Sequence, residues 1–413
     1  METPTTQGRN GSSSEPAGGE SPRLVYLDCS ATTPVAPEVL EAMLPFFTER
    51  FANASGAYAM GRQARVALET ARSRMAGLLG CAPSELVITS GGSESDNLAL
   101  RGAAHALREA GRGQHLITSP IEHEAILATC HQLADMEGFA LTVLPVDAQG
   151  RVDPVDVLAA LRPDTSLVSI MMANNEVGTL QPIAEIGAEL RARGIVFHTD
   201  AVQAGAWCDL DVERLGVDLM SLSAHKFYGP KGVGLLYVRS GTPIHCVQTG
   251  GGHEQGLRSG TENVAGAVGM SLALELAQSQ REAVCARAAG LRDRLIEALL
   301  ALPGLQLTGH PTDRIPGHAS FCVEGAPADA LLLGMDMHGI CASSGSACSA
   351  GKLHASHVLT AMGVPEALAH GALRFSLGRY TSQADIDYTV EVLRPLIERL
   401  RRLSVLAAEA TTV

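Results

Sequence analysis

Between residues 85 and 239 the chain alternates short apolar runs with longer amphipathic ones. This alternation limits the possible folds more than any other feature. ELVITS, HLITSP, ALTVLPV, TSLVSIMMA, IVFHTD, DLMSLSAH and GVGLLYVR read as strands. SESDNLALRGAAHALREAG, closed by Gly111, EHEAILATCHQLADMEG, DPVDVLAALRP and IAEIGAELRARG read as the helices among them. Strand and helix alternating at this spacing predict an α/β fold, with a mainly parallel sheet and helices on both faces.

Two helices precede this region. PEVLEAMLPFFTERF has helical periodicity and opens on Pro37, while GRQARVALETARSRMAGLLG closes on Gly80 in the C-cap position. From about residue 264 the texture changes to one long helical stretch, NVAGAVGMSLALELAQSQREAVCARAAGLRDRLIEALLAL, predicted to link two domains. Strand–helix–strand material follows, then the amphipathic QADIDYTVEVLRPLIERLRRL. Only 4 % of residues are aromatic while 46 % are hydrophobic, so Ala, Leu and Val must fill the core. A helix-rich α/β protein suits that filling.

Several classes are disfavoured. The net charge is −13 with no Lys/Arg block, which argues against nucleic acid as the main ligand. No apolar run approaches the roughly 20 residues of a membrane span. The nine cysteines are scattered and odd in number, without a CxxC pair, as in a reduced, cytoplasmic setting rather than a disulfide framework. Residues 1–22 are polar and rich in Gly, Pro and Ser. They read as a disordered tail, with neither an apolar signal core nor the acid-poor character of a transit peptide.

Four stretches carry candidate chemistry. TSGGSESDN follows a strand and opens a helix, so Gly92 and Ser93 could cradle one phosphate. The same residues also read as a capped turn, with Ser93 as N-cap and Asp96 three residues on. Asp200, in FHTDAVQ, stands at a strand end, where it could keep a pyridinium nitrogen protonated or cap a helix. Lys226, in SLSAHKFYGPKG, ends an apolar strand and is either a desolvated Schiff-base amine or a solvated surface group. In CASSGSACSAG, Cys348 lies among Ser, Ala and Gly, a setting for an exposed, working thiol.

In this order, a phosphate-type loop, a strand-end Asp and a strand-end Lys resemble the fold-type I pyridoxal-5′-phosphate enzymes. Within them, YLDCSATTPV, TSGGSESDNLA, IEHEAIL, ANNEVGTLQPI, HTDAVQ, SLSAHKFYGPKGVGLLYVR, RSGTEN, SSGSACSAG and LRFSLGRYT together resemble the cysteine desulfurases with a long cysteine loop. The resemblance spans about residues 24 to 406. It implies a large cofactor-binding domain over residues 38–283, built on a seven-stranded sheet. A smaller α+β domain, from residues 23–37 and 284–413, would carry the cysteine loop.

The resemblance assigns roles residue by residue. Lys226 would hold pyridoxal 5′-phosphate covalently and shuttle protons, Asp200 would pair with its ring nitrogen, and His123 would stack on the ring and carry protons. Asn175 and Gln203 would contact the ring hydroxyl region, and Gly92, Ser93, Ser223 and His225 the phosphate. Thr261 would reach the phosphate of a neighbouring subunit, which implies a homodimer. Arg374 would grip the substrate carboxylate, with Asn175 beside it and Arg379 a weaker candidate. Cys348 would take sulfur from L-cysteine as a persulfide, release alanine and pass the sulfur to an acceptor such as an iron–sulfur scaffold.

Cys29 departs from the expected pattern and reads as inert, and no metal site is expected, His354 and His357 notwithstanding. Selenocysteine lyase, aminotransferase and non-catalytic sulfur carrier are the alternative functions.

Overall fold

The computed structural model describes residues 23–345 and 355–411, with side chains up to residue 403. The seven predicted strands form one sheet: β2 (Leu86–Thr89), β3 (His115–Thr118), β4 (Ala140–Val143), β5 (Thr165–Ser169), β6 (Val196–Asp200), β7 (Leu219–Ser223) and β8 (Gly234–Val238), after a short β1 (Val25–Tyr26). Their spatial order is β2-β8-β7-β6-β5-β3-β4. β8 runs antiparallel to both neighbours and the other pairings are parallel. Every residue of β2, β3, β5, β6, β7 and β8 is buried, because helices cover both faces. Only the edge strand β4 is partly open.

A second, antiparallel sheet has the order β12-β10-β9, from β9 (Leu305–Thr308), β10 (His318–Val323) and β12 (Ala372–Ser376). β11 (Ile340–Cys341) pairs in parallel with β1, which places the N-terminal segment beside the C-terminal part of the chain. Each sheet has a main core of its own, and a smaller cluster with Ile121, Met171, Cys322 and Ala372 joins the two regions. Phe197, Met220, Leu222 and Phe227 belong to the first sheet's core, and Phe321, Phe375, Leu373 and Ile386 to the second's.

Helices depart from the sequence reading at three places. The predicted first helix is two, Pro37–Met43 and Pro45–Thr48, since Pro45 lacks the N–H that would continue the first. The long stretch after residue 264 is likewise two helices, Val264–Ser279 and Arg281–Leu300, separated at Gln280. Met270 and Leu274 of the first pack in the large core, and Leu295 and Leu299 of the second in the small one. The break therefore lets two apolar stripes face two different cores.

The third departure follows the glycine-rich loop. The helix starts at Gly92 with Gly91 as its N-cap, so Ser93 is not the cap and Asp96 is buried rather than part of a capping box. A π-helical turn, Leu98–Gly102, then joins it to Ala103–Glu109. Elsewhere the punctuation holds: Gly80 closes Ala59–Leu79 with φ 70°, a conformation open to a residue without Cβ. No helix among the described residues is long and apolar enough to cross a membrane.

Candidate active site

In an open α/β sheet, ligands sit outside the carboxyl ends of the strands. Here that edge holds a cavity of about 260 Å³. Asp200 and Ser223 are the last residues of β6 and β7, Gly92 and Ser93 follow β2, and His123 follows β3. Asn175, Gln203, His225 and Lys226 line it too, and Arg374 reaches it from β12 of the other sheet. Of the predicted residues, Thr261 is exposed outside this cavity, Arg379 lies elsewhere, paired with Glu38, and Cys348 falls outside the described residues.

Lys226 ends a short 3-10 turn, Ala224–Lys226, immediately beyond β7. Its Nζ donates to the carbonyls of Ser30 and Ala31, the latter at 2.9 Å. Gln203 Nε2 donates to the same Ser30 carbonyl at 2.9 Å. The N-terminal segment thus closes one wall of the cavity and fixes the amine's approach.

Asp200 is buried, and its Oδ1 accepts the Val202 amide at 2.9 Å. Burial raises its carboxyl pKa, while His123, that amide and Lys226 act in the opposite direction. His123 is the N-cap of Glu124–Glu137, with Nδ1 accepting the Ala125 amide at 3.1 Å. This fixes the ring at the cavity wall, so the cap is how the structure orients a site residue. His225 contacts Thr32 Oγ1 at 3.1 Å, and burial, with the charges of Lys226 and Lys231, pushes its pKa down to about 4. It is therefore neutral at pH 7.

The glycine-rich loop is held from several sides. Ser90 N–H donates to Glu94 Oε2 at 2.8 Å, and the Thr89 and Ser95 hydroxyls meet at 2.7 Å. Glu94 also takes Arg258 Nε at 2.7 Å, tying the segment that carries Thr261 to this helix start. A Cβ on Gly92 would stand 2.7 Å from Val202 Cγ2, so only glycine fits there.

Arg374 is 2 % exposed in the middle of β12. Its Nη2 donates to Asp28 Oδ1 at 2.7 Å, and Nη1 to the carbonyls of Asn175 at 2.9 Å and Gly345 at 3.3 Å. Nε is buried without a partner among the described residues. Asp28, Ser30, Ala31, Met171, Val202 and Gly345 are site residues that the sequence did not single out, and Asp96, read there only as a capping residue, lines the cavity too. Asp28, Ser30 and Ala31 lie in the motif YLDCSATTPV, but nothing local says that its carbonyls and carboxylate fold onto a lysine and an arginine far along the chain.

Cys29, by contrast, is half-buried beside Tyr228, and desolvation pushes its thiol up to about 12, so it stays protonated at neutral pH. His357 Nε2 is engaged by the Glu122 carbonyl at 3.0 Å. Among the described residues no group of three or more His, Cys, Asp or Glu is arranged to hold a metal.

An aminotransferase class-V family model matches residues 25–389. Cysteine desulfurase IscS of Dictyoglomus turgidum is 48 % identical over 383 residues, 92 % of this chain and 96 % of that protein. The chain belongs to the cysteine desulfurases of the class-V aminotransferase family. A solved NifS-like protein superposes with a TM-score of 0.85 at 38 % identity, covering 92 % of this chain and 99 % of that one. The structure of SspA in complex with cysteine gives 0.76 at 38 %, covering 87 % and 100 %.

Cysteine desulfurases are enzymes that use pyridoxal 5′-phosphate, and the residues present fit that group. The Gly92 cradle leaves room for an anion against backbone, and the buried Asp200 carboxyl calls for a cationic partner such as a protonated ring nitrogen. Lys226 supplies the amine that an aldehyde requires, at the same wall.

Proposed function

We infer that the chain is an L-cysteine desulfurase whose sulfur acceptor is Cys348. One observation carries this reading: Lys226 and Arg374, brought from different sheets, face a single cavity that also holds Asp200 and His123. An amine for a cofactor aldehyde and a guanidinium for a carboxylate are what an α-amino-acid substrate needs at its two ends.

Bound pyridoxal 5′-phosphate supplies the electron sink that labilises bonds at the substrate's Cα and Cβ. Ser93, Ser223 and His225 would hold its phosphate, Asp200 its ring nitrogen, and Asn175 and Gln203 its ring hydroxyl region, all of them lining the one cavity. Arg374 fixes the substrate carboxylate. His123, anchored by the Ala125 amide, and Lys226 move the protons. The Cys348 thiolate attacks the substrate sulfur: the S–S bond forms, the substrate's Cβ–S bond breaks, Cβ receives a proton, and alanine leaves.

The residues flanking Cys348 support this route. Gly345 lines the cavity, and Ser356 Oγ donates to Glu176 Oε2 at 2.5 Å, one residue from Asn175. Gly345 and Ser356, the described residues on either side of Cys348, therefore both stand close to Asn175 and Glu176.

The domain division, with residues 38–283 against 23–37 and 284–413, is supported by the separate main cores and by the β1–β11 pairing. The enzyme acts as a homodimer. An open groove of about 730 Å³ between Ala59–Leu79 and Val264–Ser279 is lined by Phe46, Val66 and Val268 with Arg50, Arg62 and Arg74. Phe47, Phe51 and Tyr58, next in sequence to the groove residues Phe46, Arg50 and Ala59, are exposed as well and suit burial against a second copy. Thr261, exposed and outside its own cavity, is then available to the partner's phosphate site. The persulfide passes to an acceptor such as an iron–sulfur scaffold, in the cytoplasm, where scattered free thiols are stable.

The test is mass spectrometry of the pyridoxal-5′-phosphate-loaded protein incubated with L-cysteine. The expected result is one added sulfur on Cys348 and on no other cysteine, with alanine released. Full desulfuration by Cys348→Ala, preference for L-selenocysteine over L-cysteine, or amino-group transfer to a 2-oxo acid without alanine would each overturn it.

A further inference from the structure

Three carboxyl groups are buried together under the cavity: Asp96, Glu122 and Asp200, with exposures of 1 %, 0 % and 6 %. The Asp200 charge raises both Asp96 and Glu122, and the Glu122 charge raises Asp96. Carboxylates packed this closely away from water cannot all ionise. Their surroundings decide which one does.

Asp200 accepts the Val202 amide and lies in the field of His123 and Lys226. Glu122 Oε1 is bound by the Ser119 hydroxyl at 2.5 Å and the Met171 amide at 3.0 Å. Asp96 has weaker support. It lines the cavity, yet its Oδ1 is buried with no hydrogen-bond partner, and only the Ser221 hydroxyl favours its charge.

The groups facing Asp96 from the neighbouring elements supply no cation. His198 Nε2, on β6, lies 3.8 Å from Oδ1, beyond hydrogen-bond reach. That ring is enclosed by the Ser169 and Ser221 hydroxyls at 2.9 and 3.0 Å, and burial presses its pKa down to about 3, so it is neutral. Across the cluster Cys130 adjoins Glu122, its thiol pushed up to about 12. Glu94, on the same helix as Asp96, is engaged by Ser90 and Arg258.

We propose that Asp96 is a positioning residue of the cofactor site: it holds the proton of a buried acid pair, leaving Asp200 as the single negative charge presented to the ring nitrogen. A neutral Asp96 backs Asp200 with a dipole instead of a competing anion. Asp200 then keeps its charge at working pH. The proposal rests on the assignment of Asp200 to the ring nitrogen, but its protonation readouts do not need turnover.

The test compares wild-type protein with Asp96→Asn, and with Asp96→Ser should the amide fail to fold, each free of cofactor and loaded with pyridoxal 5′-phosphate. The infrared difference between wild type and variant at pH 7 should show a lost carboxylic-acid carbonyl band, both with and without cofactor. A group whose pKa is raised on folding stabilises fully below its unfolded value, near 3.8, and loses that stabilisation as pH rises through the folded value. Without cofactor, the Tm of Asp96→Asn relative to wild type should therefore rise between pH 5 and 8, by on the order of a few °C. A lost carboxylate band instead, disappearance of the acid band on loading, or a Tm difference that is flat or falls with pH would overturn the proposal. Wild-type protein that fails to bind pyridoxal 5′-phosphate would count against the function instead, because the cofactor-free readouts stand without it.

Discussion

Asp28 Oδ1 accepts Arg374 Nη2 at 2.7 Å, joining the segment after the first strand to the guanidinium that faces the cavity. Arg374 has two further hydrogen bonds, to the Asn175 and Gly345 carbonyls, so all three contacts together set the plane of the fork. Asp28 is the only one of the three that is charged. Removing that charge loosens the fork without removing the arginine.

Asp28→Asn should therefore raise KM for L-cysteine by about 10-fold, equivalent to about 1.4 kcal/mol, the scale of a weakened charge-assisted hydrogen bond. Arg374→Lys, which loses the planar fork, should raise it further. Steady-state kinetics at saturating pyridoxal 5′-phosphate decide the matter. An unchanged KM in Asp28→Asn would show that the two carbonyls suffice to hold Arg374.

Gly92→Ala places a Cβ 2.7 Å from Val202 Cγ2. Overpacking of this kind costs roughly 1–3 kcal/mol, here taken from the glycine-rich loop proposed to hold the phosphate. Pyridoxal 5′-phosphate affinity should fall by about 10-fold or more. Val202→Ala in the same chain should restore most of it, because the clashing methyl is gone. Cofactor titration followed by absorbance tests both. Failure of the second substitution to restore binding would place the defect elsewhere.

Glu122 is fully buried, and burial, with the nearby Asp200 charge, lifts its pKa to about 8. Its unfolded value is near 4.5. Its contribution to stability is complete below pH 4.5 and is lost as pH rises toward 8. Glu122→Gln cannot ionise, so the variant's Tm relative to wild type should climb across this window and level off above it. His198 has the opposite sign: depressed to about 3, it stabilises above pH 6.5 and that stability drains away as pH falls. Calorimetry of the cofactor-free protein from pH 4 to 9 measures both limbs. A Glu122→Gln difference that stays level from pH 5 to 8 would mean that Glu122 is already ionised there.

Val66 is 65 % exposed on the wall of the open groove, in the long helix Ala59–Leu79. Val66→Glu should leave a folded single chain intact and disfavour burial of that face against a second copy. For the proposed homodimer, sedimentation velocity should show a shift from dimer to monomer, and the proposed reach of Thr261 into the other subunit's phosphate site requires pyridoxal 5′-phosphate affinity to fall with it. A dimer that persists unchanged would place the interface on another face.

Much of the fold was legible because it rests on local signals. Seven apolar runs became the seven strands of one sheet, and Gly80 and Gly138 closed their helices in the left-handed conformation. Signals that compete locally were harder to rank. Pro45 and Gln280 break stretches whose apolar periodicity reads as continuous, because two cores, not one, receive the stripes on either side. Ser93 and Asp96 have the spacing of a capping box, yet the helix begins two residues earlier, with Gly91 as N-cap, and buries Asp96 instead.

The order of motifs along the chain determined the family, the cofactor chemistry and most of the residues around the cavity, because each motif's residue types are dictated by the group it meets. What only the tertiary structure decided is which distant side chains act together. Asp28 holds Arg374 across 346 positions of sequence, and the Ser30 carbonyl meets both Lys226 and Gln203. Asp96, Glu122 and Asp200 share one dry site, although no local pattern links them. Hydrogen bonds and charge repulsion act over a few ångströms of space, and sheet topology, not sequence distance, sets which groups come within that range.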